Sequence, residues 1–144
     1  MKVQSYLFFD GRCEEALEYY RLHLGAKIGM MMRFKDNPEP QQQPGMSAPS
    51  VADKVMHAEF SIGETTLMAS DGYAQGKPEF KGFSQSIATK DDAETKRIFD
   101  ALADGGQVQM PLGKTFYASS FGMVADRFGV PWMVITENSG AVKG

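Results

Sequence analysis

The chain has a single cysteine, Cys13, among 144 residues, so no internal disulfide can form. Long hydrophobic runs are missing as well. No apolar stretch approaches the length of a membrane span, and the first residues show neither the basic nor the apolar region of a signal peptide. Charge of one sign is also scarce. Fifteen Lys and Arg stand against 18 Asp and Glu, the net charge is −3, and the two signs are interspersed. That excludes a basic nucleic-acid face and a membrane-binding patch, and it makes the cytoplasm the expected compartment. What is present is enough for a core. The hydrophobic fraction is 42%, the mean hydropathy of −0.31 fits a soluble chain, and the length suits one compact domain or two fused small halves.

The order of elements is readable. "VQSYLFF" (3–9) is a strand. "DGRCEEALEYYRLHLG" (10–25) is a helix, with Asp10 expected as its cap and Glu14 and Glu15 at its positive end. Ala16, Leu17, Tyr20 and Leu24 form its apolar stripe, and Gly25 stops it. Strands follow at 26–34, 54–62 and 65–70. Between the first two lies "KDNPEPQQQPGMSAPSVAD" (35–53), which holds four of the seven prolines and three glutamines and reads as a long, protease-sensitive loop or a lid. After a linker at 71–82 the pattern repeats: a strand at 83–89, a helix at 91–106 capped by Asp91 and ended by Gly105 and Gly106, and strands near 107–112, 116–125 and 130–137. Each half is βαβββ.

A faint internal echo supports duplication. Gln4-Ser5 stands as far ahead of Gly25 as Gln85-Ser86 stands ahead of Gly106. "GETTLMASDG" (63–72) can be laid on "GVPWMVITEN" (129–138), pairing Leu67 with Met133.

Three stretches carry a family likeness: "YLFFDGRCEEALEYYRLHLGAK", "HAEFSIGETTLMASD" and "FGMVADRFGVPWMV". With them the chain resembles the vicinal oxygen chelate superfamily, which includes glyoxalase I, extradiol dioxygenases and fosfomycin-resistance proteins, and within it the PhnB-like branch. The resemblance implies an α+β fold of two tandem βαβββ modules, 1–72 and 83–139. Their curved mixed sheets would form a cleft, with the helices outside. It also implies a frequent homodimer. "AKIGMMMRF" would then be an exposed edge strand, and edges of that kind are usually covered, so Met30, Met31 or Met32 are expected at the interface. The branch often carries a demethylubiquinone methyltransferase label. The residues offer no strand, glycine-rich turn and helix suited to S-adenosylmethionine.

Metal-dependent relatives hold a divalent ion with His, Glu or Gln from the first and last strand of each module. By motif spacing those positions fall on Gln4, Gln85, Leu67 (Met68 if the register slips by one) and Met133. Two amides and two apolar side chains suit Mg, Mn or Fe(II) poorly. No metal and no cofactor is therefore expected, and fosfomycin chemistry, which needs the metal in this fold, is not expected either. Cleft-lining candidates are Gln4, Tyr6, Phe8, Leu67, Gln85, Tyr117, Ser119, Met133 and Ile135.

His57 and Glu59 share one face of a strand, opposite Met56, Ala58, Phe60 and Ile62. They read either as a general base with an orienting carboxylate or as a solvated strand face. Cys13, in the first turn of the helix, is either an activated thiol or a small buried apolar residue. His23 reads as structural. Of the ten methionines, Met30 and Met32 share one strand face and serve as core or as an adaptable pocket. The turn "DRFGVP" sets the register of the last strand, with Trp132 under the helix. Three functions follow: a metal-independent binder of an apolar or aromatic small molecule, a lyase, isomerase or dioxygenase using His57 and Glu59 or a relocated metal, and an interaction module with a filled cleft.

Overall fold

The computed structural model describes residues 1–37, 51–72 and 77–137. The chain divides into two compact units, Met1–Pro78 and Glu79–Gly144. Residues 38–50 of the expected proline-rich loop, and 73–76 of the expected linker, lie outside the described residues.

In the first unit the order is β1 (Tyr6–Phe8), α1 (Cys13–Leu24), β2 (Lys27–Arg33), a short 3-10 helix (Phe34–Asp36), β3 (Val55–Ile62) and β4 (Thr65–Ser70). The strands form one mixed sheet in the order β1-β4-β3-β2. β1 runs parallel to β4 and the other pairs are antiparallel. The strands alternate cleanly. Ala58, Phe60, Leu67, Ala69 and Leu7 are buried on one face, against the Cys13, Ala16, Leu17 and Tyr20 face of α1. Tyr20 stacks on Phe60 with ring centroids 6.0 Å apart. Burying each such side chain contributes about 1.5–3 kcal/mol, which anchors the helix to that face.

The start of α1 differs from the sequence expectation. Asp10 is not its cap. It sits at φ 52, and its carboxylate accepts from the Lys77 N–H at 2.9 Å. The capping oxygen comes from Asp71, just past β4. Its Oδ1 accepts from the N–H groups of Gly11 at 2.9 Å and Cys13 at 2.8 Å, and its Oδ2 accepts from Val55 at 2.7 Å. The far end follows expectation: Gly25 adopts φ 69, which an L side chain would strain to reach.

In the second unit the order is β5 (Gln85–Thr89), α2 (Asp92–Ala103), β6 (Gln107–Gly113), β7 (Ala118–Ala125) and β8 (Pro131–Glu137). The sheet order is β5-β8-β7-β6, the same topology as the first unit. Asp91 caps α2 as expected, accepting from the Glu94 N–H at 2.7 Å. Thr95, Ile98, Phe99 and Leu102 bury its inner face. Gly122 lets that helix approach, because a Cβ there would stand 2.7 Å from the Phe99 ring. The "DRFGVP" turn is fixed by Asp126, whose carboxylate accepts from the backbone of Phe128 and Val130 and, at 2.8 Å, from Trp132 Nε1. Each unit is thus a four-stranded mixed sheet with its helix on one face.

Candidate functional site

The face of the first sheet turned away from α1 carries the candidate site. Strand register arranges it in rows. Met30 lies opposite Glu59, Glu59 opposite Met68, and Met68 beside Tyr6. In the next row Met32 lies opposite His57, and Phe8 lies beside Ser70. Phe8 is 56% exposed and Met30 38%, and within the first unit α1 leaves this face open.

One contact ties the rows together. Tyr6 Oη lies 2.9 Å from His57 Nδ1. The Tyr6 ring centroid is 5.5 Å from the imidazole and 4.9 Å from the Phe8 ring. Burial raises the Tyr6 phenol above its ordinary value, a bond from the Ser70 hydroxyl works against this, and the Cys13 thiol adds slightly to it. The phenol is therefore protonated at neutral pH. One orientation gives every hydroxyl of the chain an acceptor. The Gly72 N–H donates to Ser70 Oγ at 3.1 Å, the Ser70 hydroxyl donates to Tyr6, and the Tyr6 hydroxyl donates to Nδ1. His57 is then the tautomer with its proton on Nε2, an assignment made from the network.

Glu59 does not orient His57. The imidazole's partner is Tyr6, and among the described residues the Glu59 carboxylate makes no hydrogen bond and no ion pair. The two residues share the open face as their spacing predicts, but they are not a bonded pair.

The other cleft candidates separate. Gln4 keeps the parity of Tyr6, and its amide donates to Thr66 O at 3.0 Å. Met133 and Ile135 lie on the open face of the second sheet, opposite Met123 and Phe121. Tyr117 contacts Phe121 at a 5.9 Å ring distance. Three assignments need correction. Leu67 is buried on the helix side, in register with Phe60, and Met68 takes the open-face position. Gln85 pairs with Trp132 on the helix side, and Ser86 faces outward beside Met133. Ser119 is turned to the start of α2, where its hydroxyl donates to Asp92 Oδ1 at 2.6 Å. The irregularity between Ala118 and Phe121 breaks the alternation that sequence parity assumed.

The positions implied for the superfamily's divalent ion do not fit one. The corrected register supplies Gln4, Met68, Ser86 and Met133, with neither carboxylate nor imidazole, and thioether sulfur is too soft for a hard ion. Among the described residues no three His, Cys, Asp or Glu side chains are grouped as metal ligands.

Cys13 is fully buried. Burial pushes its thiol far up, and the nearby Asp71 and Glu14 carboxylates add to the rise. The activated-thiol reading fails on that environment. A concavity of about 620 Å³ at the start of α1 is lined by Glu14, Arg33, Lys35, Asp53 and Lys54. Its charges are consumed internally, in the Arg33–Glu14 and Lys35–Asp53 pairs and in a bond from Lys54 to Gly11 O.

Sequence reasoning missed the row of Met30, Glu59 and Met68, the Tyr6–His57 bond and the buried Asp71. The parity of β3 against its neighbours was the available signal for the first.

Two βαβββ units, each a mixed sheet backed by one helix, define a glyoxalase-like protein. Solved structures of a glyoxalase-related enzyme from Fulvimarina pelagi and a glyoxalase/bleomycin-resistance/dioxygenase domain from Frankia share this fold, each with a TM-score of 0.60, at 16% and 14% identity. A family model described as 3-demethylubiquinone-9 3-methyltransferase matches residues 1–135, and the chain belongs to that family, the PhnB-like branch of the vicinal oxygen chelate superfamily. The chain is 36% identical to protein YjdN of Escherichia coli over 93% of its own length and 94% of the relative's. It is 47% identical to PA1353 of Pseudomonas aeruginosa, whose crystal structure gives a TM-score of 0.82 over 95% of this chain and 98% of that one. A PhnB protein of Bacillus cereus gives 26% identity and a TM-score of 0.77, covering 94% and 99%. The methyltransferase wording is a family label.

Proposed function

We propose that the protein binds a small apolar or aromatic molecule on the open face of its first sheet, without the divalent metal of its superfamily. One observation carries this reading: the Tyr6–His57 hydrogen bond of 2.9 Å, set among Phe8, Met30, Met32 and Met68. Methionines and rings give an adaptable apolar floor, and the His57 Nε2–H gives one directed donor. The donor set at the implied metal positions supports the metal-free part. Methyl transfer from S-adenosylmethionine is not part of the reading, since neither unit is the doubly wound parallel sheet that chemistry commonly uses.

A second reading rests on the same bond. His57, held at Nδ1 by Tyr6, can exchange a proton with a bound ligand at its other ring nitrogen, which would serve a lyase or isomerase step. Among the described residues no helix is long and apolar enough to cross a membrane. We take the protein as cytoplasmic and homodimeric.

The test is a thermal-shift screen of small aromatic compounds, with and without added Mn²⁺ or Zn²⁺. Stabilisation by a compound without metal, lost in Met68→Glu and weakened in His57→Leu, is the expected result. Stabilisation only when a divalent ion is present would overturn the metal-free reading. Hits indifferent to both variants would overturn the site.

A further inference from the structure

Glu59 stands at the middle of an apolar row. Its register neighbours are Met30 on one side and Met68 on the other, with Tyr6 next beyond Met68. It is half-buried, and among the described residues nothing bonds to its carboxylate. Lys27, a cation on this face, is opposite Ser61, one row away at the edge, and among the described residues forms no ion pair with Glu59. A carboxylate among thioethers and rings gives up hydration and receives no partner in return. The neighbouring groups suit one kind of compensating charge. Methionine sulfur is polarizable, and aromatic rings such as Tyr6 and Phe8, whose centroids are 4.9 Å apart, attract a cation to their faces but repel an anion.

We propose that Glu59 is the counter-ion for an organic cation, and that the ligand of this face is a compact aromatic molecule bearing a quaternary or protonated nitrogen. Its charge lies at Glu59, and its body covers Met68 toward Tyr6 and Phe8. This rests on the small-molecule reading above and adds the charge of the ligand to it. The arrangement supplies discrimination as well as attraction. A neutral analogue leaves Glu59 desolvated and unpaired, and an anionic analogue is repelled by it.

Three probes that share the quinoline ring test this at pH 7.5 and matched ionic strength: N-methylquinolinium, quinoline and quinoline-2-carboxylate. Affinities are read by NMR titration of the intact chain. N-methylquinolinium should bind about tenfold more tightly than quinoline, and quinoline-2-carboxylate should bind weakest, as expected when one charge pair is gained or opposed. Glu59→Gln should bring cation and neutral probe to within about twofold of each other, and Glu59→Lys should place the carboxylate probe first. Among the described residues the Glu59 carboxylate holds no bond, so both variants should retain the wild-type near-UV spectrum. Equal binding of quinoline and N-methylquinolinium, lost together in Met68→Glu, would overturn the counter-ion assignment while leaving the small-molecule reading intact. A cation preference that survives Glu59→Gln would also overturn it. Failure of all three probes to bind would overturn the aromatic-cation proposal, and the thermal-shift screen would decide the broader reading separately.

Discussion

Asp71 fastens the end of the first sheet to the start of its helix: its Oδ1 accepts from the Cys13 N–H at 2.8 Å, across 58 residues of chain. The same carboxylate also holds Gly11 and Val55, and it is 1% exposed. One side chain thereby satisfies three backbone donors, two of them buried and that of Gly11 part-buried.

Replacing Asp71 should therefore cost far more than a surface cap. Asp71→Ala strands the buried donors of Cys13 and Val55 at about 1–3 kcal/mol each, so a loss of at least about 2 kcal/mol is expected. Asp71→Asn keeps an acceptor for one side and turns an amide donor toward the other, and should cost less than Asp71→Ala. Urea unfolding followed by circular dichroism measures both. A loss below about 1 kcal/mol for Asp71→Ala would show that the helix start rearranges freely.

Cys13 should be silent toward thiol reagents. Its side chain is fully buried, and its thiol is held well above the ordinary value of about 9 by burial first and by Asp71 second. Ellman's reagent at pH 8 should label the native protein only at the rate of unfolding, and should label it fully in urea. The stability consequence has a definite sign. A raised folded value means the native state keeps the proton while the unfolded chain gives it up, so this contribution is whole below about pH 9 and falls away as pH rises. Cys13→Ala should lose less stability than wild type between pH 8.5 and 10.5. Equal slopes would refute the linkage.

Element order, both helices and the duplication were legible because they rest on local signals: apolar periodicity, Asp91 ahead of a helix, Gly25 and Gly105 after one. Facing was legible only within a strand. His57 and Glu59 alternate with Ala58 and Phe60 as their spacing required. Across strands it failed by one residue. Aligning the halves on Gly63 and Gly129 hides a difference in turn length. Ile62 pairs with Thr65 across two residues, whereas Ala125 pairs with Pro131 across five. Leu67 was thereby matched to Met133 although Met68 is its counterpart, and Gln85 was placed on the face that Ser86 occupies. A period-two element converts a one-residue slip into the opposite face. Asp71 was invisible for another reason. Its partners are far along the chain, while Asp10, adjacent to the helix, looked like the nearer cap.

Tyr6 and His57 should behave as a coupled pair. A double-mutant cycle with Tyr6→Phe and His57→Leu should show about 0.5–1.5 kcal/mol of interaction in unfolding free energy, the worth of one hydrogen bond. Nitrogen-15 spectra should place the His57 proton on Nε2 in the wild type. Additive single-variant effects, or a proton on Nδ1, would break the Ser70–Tyr6–His57 chain.

Assembly gives the last expectation. β2 is an edge of the first sheet, as the sequence implied, and it carries Met30, Met31 and Met32 with charges only at its ends. Met30 is 38% exposed. Arg33, a charge of the kind that blunts an edge, is occupied in a bidentate pair with Glu14 at 3.0 and 2.6 Å. An edge of this kind offers unpaired backbone groups to a second strand, and lysines placed on it are the usual block. Light scattering at micromolar concentration should give the mass of a symmetric dimer, and Met30→Lys with Met31→Lys should return it to a monomer. The second sheet offers a competing edge in β6, where Val108 and Met110 are 44% and 46% exposed. A dimer that withstands the β2 substitutions and dissociates with Met110→Lys would move the interface to that strand. A monomer mass for the wild type would refute the dimer.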